Sequence, residues 1–320
     1  MTLKVLVAGG AGFIGSHVCE KLIECGHSVT CLDNELTGKR QNIQPLLGRP
    51  TFRFIHCDAE DAPDLEANVV LHLASPASPK HYYQYPIETM SANSAGTRRL
   101  LELSEANGAH FVYASTSEVY GDPLQHPQTE SYWGNVNPIG QRSCYDEGKR
   151  FGEALTMSFW RQRNVNATIV RIFNTYGPRM DADDGRAVPE FIRAVLRGEP
   201  LTVMGNGTQT RSFCYVDDLV RVLLLIAKDF AVAGQVFNIG NPAEITVMQL
   251  AEAVMSAAGC KRDILFAAAA PDDPAQRRPD ISRVHDRYGW LPRVPLTEGL
   301  KRTIDFFRTE AMPEVWQAAS

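Results

Sequence analysis

The chain has 320 residues, of which 44% are hydrophobic and 22% charged, with a formal net charge of −5. That composition fits an ordinary globular protein and excludes a disordered chain, a collagen-like chain and a coiled coil. The acidic balance also excludes a general nucleic-acid-binding surface, which needs a basic footprint, but it leaves room for a local basic pocket for a small anion. A chain of this length exceeds the size at which one compact core stops growing, so two lobes or two domains are expected. No stretch approaches the roughly 18–20 uncharged apolar residues of a membrane span. The longest runs, such as Val222-Leu223-Leu224-Leu225-Ile226-Ala227, are core-sized. The start Met1-Thr2-Leu3-Lys4-Val5-Leu6-Val7-Ala8 enters a strand at once, which predicts a cytoplasmic protein without a targeting peptide. The seven cysteines, at 19, 25, 31, 57, 144, 214 and 260, form no C-x2-C pair, so they read as reduced, buried or incidental thiols and no metal site is expected.

Taken in chain order, Lys4–Ala8 is an apolar run without periodicity, as a buried parallel strand requires. Residues 13–25 read as a helix, 27–33 as a second strand, 51–58 as a third and 68–74 as a fourth. Residues 87–107 carry helical periodicity and stop at Gly108. Residues 109–115 form a fifth strand, Ser143–Arg163 a helix and 167–173 a sixth strand. Strands alternating with helices predict an α/β fold with a doubly wound parallel sheet of Rossmann type. After Asn174 the texture changes. Gly177-Pro178, Gly198-Glu199-Pro200 and Gly205-Asn206-Gly207 punctuate shorter elements, with helical patterns at 189–196, 217–227, 246–258 and 296–307. The expected organisation is a sheet domain over 1–174, to which 211–240 returns, and a smaller mixed α/β C-terminal lobe over 175–320. The alanines at 267–270 need not be disordered.

Gly9-Gly10-Ala11-Gly12-Phe13-Ile14-Gly15 joins the first strand to the first helix and satisfies G-x-G-x-x-G. Glycines there allow a tight turn and let backbone approach a pyrophosphate, which the free N–H groups of the helix start then bind. Asp33 ends the next strand, where an acid accepts hydrogen bonds from ribose hydroxyls and repels a 2′-phosphate. The pattern predicts NAD rather than NADP, although Lys39 and Arg40 nearby run against that preference. Asp58, at the end of the third strand, either touches adenine or caps the strand end.

Tyr145 and Lys149 stand four residues apart, on one helix face. Ser143 and Asp146 form a plausible capping pair that places Tyr145 in the first helical turn. A tyrosine can act as a base near neutrality only if its pKa falls by several units, for which a lysine ammonium and a nicotinamide cation supply favourable charge. The fifth strand runs into Ser115-Thr116-Ser117-Glu118, and strand C-termini of open parallel sheets line the ligand crevice.

With these motifs, the chain resembles the extended short-chain dehydrogenases/reductases that modify nucleotide sugars, and among them the UDP-glucuronate decarboxylases (UDP-xylose synthases). The likeness covers residues 3–307. It includes His72-Leu73-Ala74-Ser75-Pro76-Ala77-Ser78-Pro79 and Tyr132-Trp133-Gly134-Asn135-Val136-Asn137-Pro138-Ile139-Gly140. It continues through Arg171-Ile172-Phe173-Asn174-Thr175-Tyr176-Gly177-Pro178-Arg179-Met180 and Asp272-Asp273-Pro274-Ala275-Gln276-Arg277-Arg278-Pro279-Asp280.

The resemblance implies conversion of UDP-glucuronate to UDP-xylose with a recycled NAD. Tyr145 takes the proton of the sugar 4-hydroxyl as C4 gives up hydride, Lys149 supports it, and Thr116 hydrogen-bonds the 4-oxygen. The resulting ketone is β to the C6 carboxylate, which labilises CO2, and the hydride then returns to C4. Glu118 and Arg277 serve decarboxylation and reprotonation at C5. Ser117 stands where 4,6-dehydratases carry an acid for the leaving 6-hydroxyl. Implied NAD contacts are Gly9, Gly12, Phe13, Ile14, Gly15, Asp33, Asn34, Thr37, Gly38, Asp58, Leu73, Ala74, Ser75, Asn93, Tyr145 and Lys149. Implied substrate contacts are Pro79, Thr116, Glu118, Tyr145, Asn174, Arg179, Met204, Arg211 and Arg277, with Tyr82 touching the sugar or its carboxylate, or simply packing.

The resemblance also implies a UDP-sugar as partner, and a homodimer through a four-helix interface built from 87–107 and Ser143–Arg163. Met204 replaces a usual aromatic residue, and Pro189-Glu190 a usual Ser-Asn, both beside the nucleotide base, so a thymidine nucleotide is an alternative. A UDP-glucuronate 4-epimerase or another 4-keto-forming enzyme is the rival on this scaffold. A non-catalytic NAD-sensing or scaffold protein is the rival from another class, but such proteins usually lose the tyrosine or the lysine, and both are present here.

Overall fold

The computed structural model describes residues 2–268 and 276–311. Asp272-Asp273-Pro274-Ala275 of the last motif, and Ala269 and Ala270, lie outside the described residues. Among the described residues, seven strands form one parallel sheet: β1 (Lys4–Ala8), β2 (Ser28–Asp33), β3 (Phe52–His56), β4 (Val69–His72), β5 (His110–Thr116), β6 (Ala167–Ile172) and β7 (Val236–Ile239). Their order is β7-β6-β5-β4-β1-β2-β3, so the winding reverses between β1 and β4, which is where such sheets open a ligand crevice. Every residue of β4 and β5 is buried, as expected for strands covered on both faces.

Side chains alternate across the sheet. Val5 and Val7 join a core with helix α1 (Phe13–Glu24), whereas Leu6 and Ala8 face Leu100, Leu101 and Phe159 on the other side. The remaining helices are α2 (Pro79–Gln84), α3 (Pro86–Asn93), α4 (Ala95–Asn107), α5 (Ser143–Arg163), α6 (Ala187–Arg197), α7 (Val216–Lys228), α8 (Val247–Ala258), α9 (Ser282–Tyr288) and α10 (Leu296–Phe306). After β6 the chain crosses into the smaller lobe, and α7 and β7 then bring it back, α7 beside α1 and β7 parallel to β6. The lobe contributes a parallel pair, Leu201–Met204 with Ile264–Ala267, and a three-stranded piece in which Thr210–Ser212 lies between Glu244–Thr246 and Gln276–Arg277. Its apolar side chains, among them Phe191, Leu250, Trp290 and Leu300, share one core with β1 and β2.

Two expectations about the helices are corrected. The run 87–107 is two helices, α3 and α4, broken at Ser94, whose φ is −113° and ψ −82°. Periodicity continues through the break because α4 keeps its apolar face on the sheet, while the buried Asn93 donates to the Thr89 carbonyl and to Ser75 and accepts from the Tyr113 hydroxyl. The Ser143–Asp146 cap does not form: α5 starts after Arg142 with no side-chain cap. What seats α5 is Gly152, because a Cβ there would lie 2.1 Å from the Tyr113 hydroxyl. The missing side chain lets the helix press onto β5, setting Tyr145 and Lys149 over the strand that delivers Thr116.

Candidate active site

A cleft of about 710 Å³ opens at the C-terminal ends of β1, β4, β5 and β6 and runs under the smaller lobe to Met204 and Arg211. A second cavity, of about 290 Å³, leads from the same glycine turn to Asp33, Asn34, Gly38 and Asp58.

The glycine turn is built by close approach. Gly9 has φ +82°, and a Cβ on it would lie 2.6 Å from the Ala74 nitrogen, a conformation and a distance that only glycine tolerates. A Cβ on Gly15 would lie 2.0 Å from the Gly9 carbonyl oxygen, so α1 rests directly on the turn. The helix starts at Gly12 without a side-chain cap, leaving its first N–H groups for a ligand. Asp33 stiffens the arrangement, accepting from the Ala11 N–H at 2.9 Å and the Glu35 N–H at 2.8 Å. Burial pushes its carboxyl up against the pull of those two donors.

Tyr145 and Lys149 are both buried over β5. Lys149 donates to the Ala114 carbonyl at 2.8 Å and sits 5.1 Å over the Tyr113 ring and 5.9 Å from the Tyr145 ring. The Tyr145 ring stacks on Tyr82, centroid to centroid 5.2 Å at 8°. Burial pushes the Tyr145 hydroxyl up, partly offset by its hydrogen bond with Thr116, and burial pulls Lys149 down to about 7, with Glu153 opposing. The expected activation of Tyr145 is thus not supplied by Lys149 alone, because desolvation disfavours both charged forms at once. Glu153, one turn beyond Lys149, is held by Ser115 at 2.5 Å and clasped by Arg171 at 2.9 and 2.7 Å.

Beside Tyr145 lies a charged cluster. Both Nη groups of Arg277 donate to Glu118, one of them to Oε2 at 2.9 Å, and Arg142 also donates to Oε2. Burial alone raises the Glu118 carboxyl, but the two guanidinium groups overcome it and hold it down at about 2. Glu118 is therefore an anion at neutral pH rather than a store for a proton. Arg277 is placed by strand register, opposite Arg211 on the parallel neighbour.

A family model described as the NAD dependent epimerase/dehydratase family matches residues 5–240. The chain belongs to that family. It is 48% identical over 312 residues to UDP-glucuronic acid decarboxylase 1 of Arabidopsis thaliana, covering 98% of this chain and 71% of the relative. A solved structure of a Thermotoga maritima UDP-glucose 4-epimerase with UDP-glucose superposes with a TM-score of 0.88 at 32% identity, covering 96% of this chain and 99% of that one. A Bacillus cereus UDP-glucuronic acid 4-epimerase, in complex with UDP-4-deoxy-4-fluoro-glucuronic acid and NAD, gives a TM-score of 0.84 at 30% identity, covering 95% and 99%.

NAD is the cofactor of this family member, and the residues fit it. The turn at Gly9 and Gly15 is a cradle that a Cβ would fill, the α1 start is uncapped, and a carboxylate waits at the end of β2. Of the residues expected to hold it, Gly9, Gly12, Phe13, Ile14, Gly15, Thr37, Leu73, Ser75, Tyr145 and Lys149 line the larger cleft, and Asp33, Asn34, Gly38, Asp58 and Ala74 the smaller cavity. Asp58 also accepts a hydrogen bond from Asn34. Asn93 lines neither and instead stands behind Ser75, to which it donates at 2.8 Å. Thr116, Ser117, Glu118, Pro79, Tyr82, Asn174, Arg179, Met204, Arg211 and Arg277 all line the larger cleft. Arg179 has a φ of +67° and donates to Glu20 at 2.6 Å, which turns its head toward α1. Sequence reasoning missed Arg142, Gln209, Arg186 and Arg193, which also face the cleft. For Arg142 a signal was present, since it stands one helical turn before Tyr145. Among the described residues, no group of three or more His, Cys, Asp or Glu side chains could hold a metal, and no helix is long and apolar enough to cross a membrane.

Gly15→Ala is expected to weaken NAD binding at least about 100-fold, because the Cβ meets backbone that cannot yield without opening the turn. Calorimetric titration with NAD⁺ reads it, and an affinity within threefold of the parent refutes the cradle. Asp146 next to Tyr145 is pushed up to about 7, first by burial and then by Glu118. A raised folded-state pKa gives stability that is full below the unfolded value, near 4, and lost as pH rises through about 7. Asp146→Asn should therefore gain on the parent between pH 4 and 8, by about 2–4 °C in Tm, and a pH-independent difference contradicts the assignment.

Proposed function

We propose that this protein is an NAD-dependent UDP-glucuronate decarboxylase, releasing CO2 and forming UDP-xylose. The observation that carries the reading is Glu118 clasped by Arg277 beside Tyr145, with Ser117 where a dehydratase needs an acid. A 48%-identical relative bears the decarboxylase name.

When bound, NAD⁺ supplies a hydride acceptor for C4, later its donor, and a positive charge that favours the tyrosinate. The work of the chain's own residues follows from their places. Tyr145 removes the proton of the C4 hydroxyl, and Thr116 orients the same oxygen. Once C4 is a ketone, the C6 carboxylate is β to it. Its C–C bond breaks as CO2 leaves, and the electron pair moves through C5 onto the C4 oxygen. Tyr145 and Thr116 stabilise that oxyanion. A proton then enters at C5, so that UDP-glucuronate plus one proton gives UDP-xylose plus CO2. Glu118, fully ionised, fixes the arginines rather than donating that proton. Arg211, beside Arg277, receives the diphosphate bidentately, and Met204 covers the base.

In this reading residues 1–174 with 211–240 hold NAD and the rest of 175–320 holds the nucleotide sugar. The enzyme works in the cytoplasm, as seven free thiols fit a reducing compartment. It works as a homodimer, burying the exposed Ile87, Met90 and Phe151 of the adjoining α3 and α5. The test is mass spectrometry after incubating the protein as isolated with UDP-glucuronate. UDP-xylose is expected without added reductant, whereas UDP-galacturonate would make the protein an epimerase.

A further inference from the structure

The cluster around Glu118 is not electrically balanced. It contains two guanidinium groups, Arg142 and Arg277, and one carboxylate held ionised between them. The other acid in reach, Asp146, lies 3.9 Å from Arg142 Nε, and its burial keeps it about half protonated near neutrality. With Glu118 ionised and Asp146 about half ionised, the two guanidinium groups leave about half a positive charge in excess, in a site whose charged side chains are mostly buried. An unbalanced buried charge is costly unless a ligand completes it.

The excess belongs to Arg142. Arg277 is 3% exposed and gives both Nη groups to Glu118, whereas Arg142 reaches Glu118 with one nitrogen and lines the cleft. Its guanidinium stands 5.9 Å from the centre of the Tyr82 ring, which is itself stacked on Tyr145. The Tyr82 hydroxyl, on the same wall, has no hydrogen-bond partner among the described residues. A sugar whose C4 hydroxyl meets Tyr145 carries its C6 group on the neighbouring carbon, within the reach of this cation.

We propose that Arg142 is the residue that selects a uronic-acid sugar, receiving the C6 carboxylate and so distinguishing it from the same sugar without that charge. The proposal rests on the UDP-glucuronate reading above and adds the group that enforces it. Such a contact binds the ground state, and the carboxylate charge must move away as CO2 departs. Its loss should therefore raise KM more than it lowers kcat.

The test is calorimetric titration of the NAD-bound enzyme carrying Tyr145→Phe, which slows consumption of the ligand, with and without Arg142→Gln or Arg142→Lys, using UDP-glucuronate and UDP-xylose, which lacks the carboxylate; KM and kcat are read with Tyr145 intact. Arg142→Gln should lose about 10–100-fold in affinity for UDP-glucuronate, with UDP-xylose changed less than threefold. Arg142→Lys should recover part of the loss, and KM should rise by a larger factor than kcat falls. Equal losses for both ligands would overturn the proposal and make Arg142 a structural support for Glu118, and unchanged affinity for both would overturn it as well. Failure of the underlying reading looks different, because the parent enzyme would then form no UDP-xylose.

Discussion

Replacing Tyr145 by phenylalanine is expected to lower kcat with UDP-glucuronate by about 10²–10⁴-fold, the range found when a general base is removed, while leaving the fold and NAD affinity in place. The ring stays: its stacking on Tyr82 and its place in the small apolar group with Cys144 do not need the hydroxyl. Only the hydrogen bond with Thr116 is lost, a change of about 1 kcal/mol in stability. Activity, in contrast, depends on the one atom removed. Desolvation raises the cost of ionising Tyr145, so the hydroxyl can give up its proton only where positive charge accumulates. Lys149, itself lowered to about 7, gives only part of that charge. Turnover within tenfold of the parent, with Tm and NAD titration unchanged, would remove Tyr145 from the mechanism.

How much of this was legible in the sequence depends on how local each feature is. The glycine turn, Asp33 and the Tyr145–Lys149 spacing are set within a strand–turn–helix or one helical face, and period and composition are enough to find them. The limits of α5 follow from its sequence although its cap does not, because a long periodic pattern defines a helix better than any one terminal residue. The break at Ser94 was invisible, since the apolar period runs across it and the cause is the tertiary burial of Asn93 against Tyr113. Asn93 itself shows the same limit: a polar residue near a binding motif reads as a contact, yet here it holds Ser75 from behind. Glu118 and Arg277 are 159 positions apart, so only resemblance could pair them. Arg142 lay in plain view, but an arginine before a helix has many uses. Its meaning appears only once Glu118, Arg277 and Asp146 are seen around it.

Removing Arg277 separates the two halves of the chemistry. Arg277→Ala is expected to reduce CO2 release by about 10²–10³-fold, as when one preorganised electrostatic partner is lost from a reacting centre, with NAD affinity changed less than twofold. The reason lies in where the residue sits. The glycine turn and Asp33 are built from β1, α1 and β2, whereas Arg277 comes from the smaller lobe, its strand anchored on Arg211 and its carbonyl accepting from Ser212 at 3.3 Å. Without it Glu118 keeps Arg142 as a partner, so the buried carboxylate is not stranded. The expected destabilisation is about 1–3 kcal/mol, below the 3–5 kcal/mol typical when a buried charge is left alone. Arg142 and Glu118 then cancel, Asp146 adds only negative charge, and the site loses its positive surplus at the point where the carboxylate of the sugar must be held and released. Release of labelled CO2 from UDP-glucuronate, measured beside NAD titration and thermal melts, separates the cases. If decarboxylation and NAD affinity fall together, Arg277 is a structural strut between the lobes; if CO2 release alone collapses, the ion pair with Glu118 belongs to the chemistry.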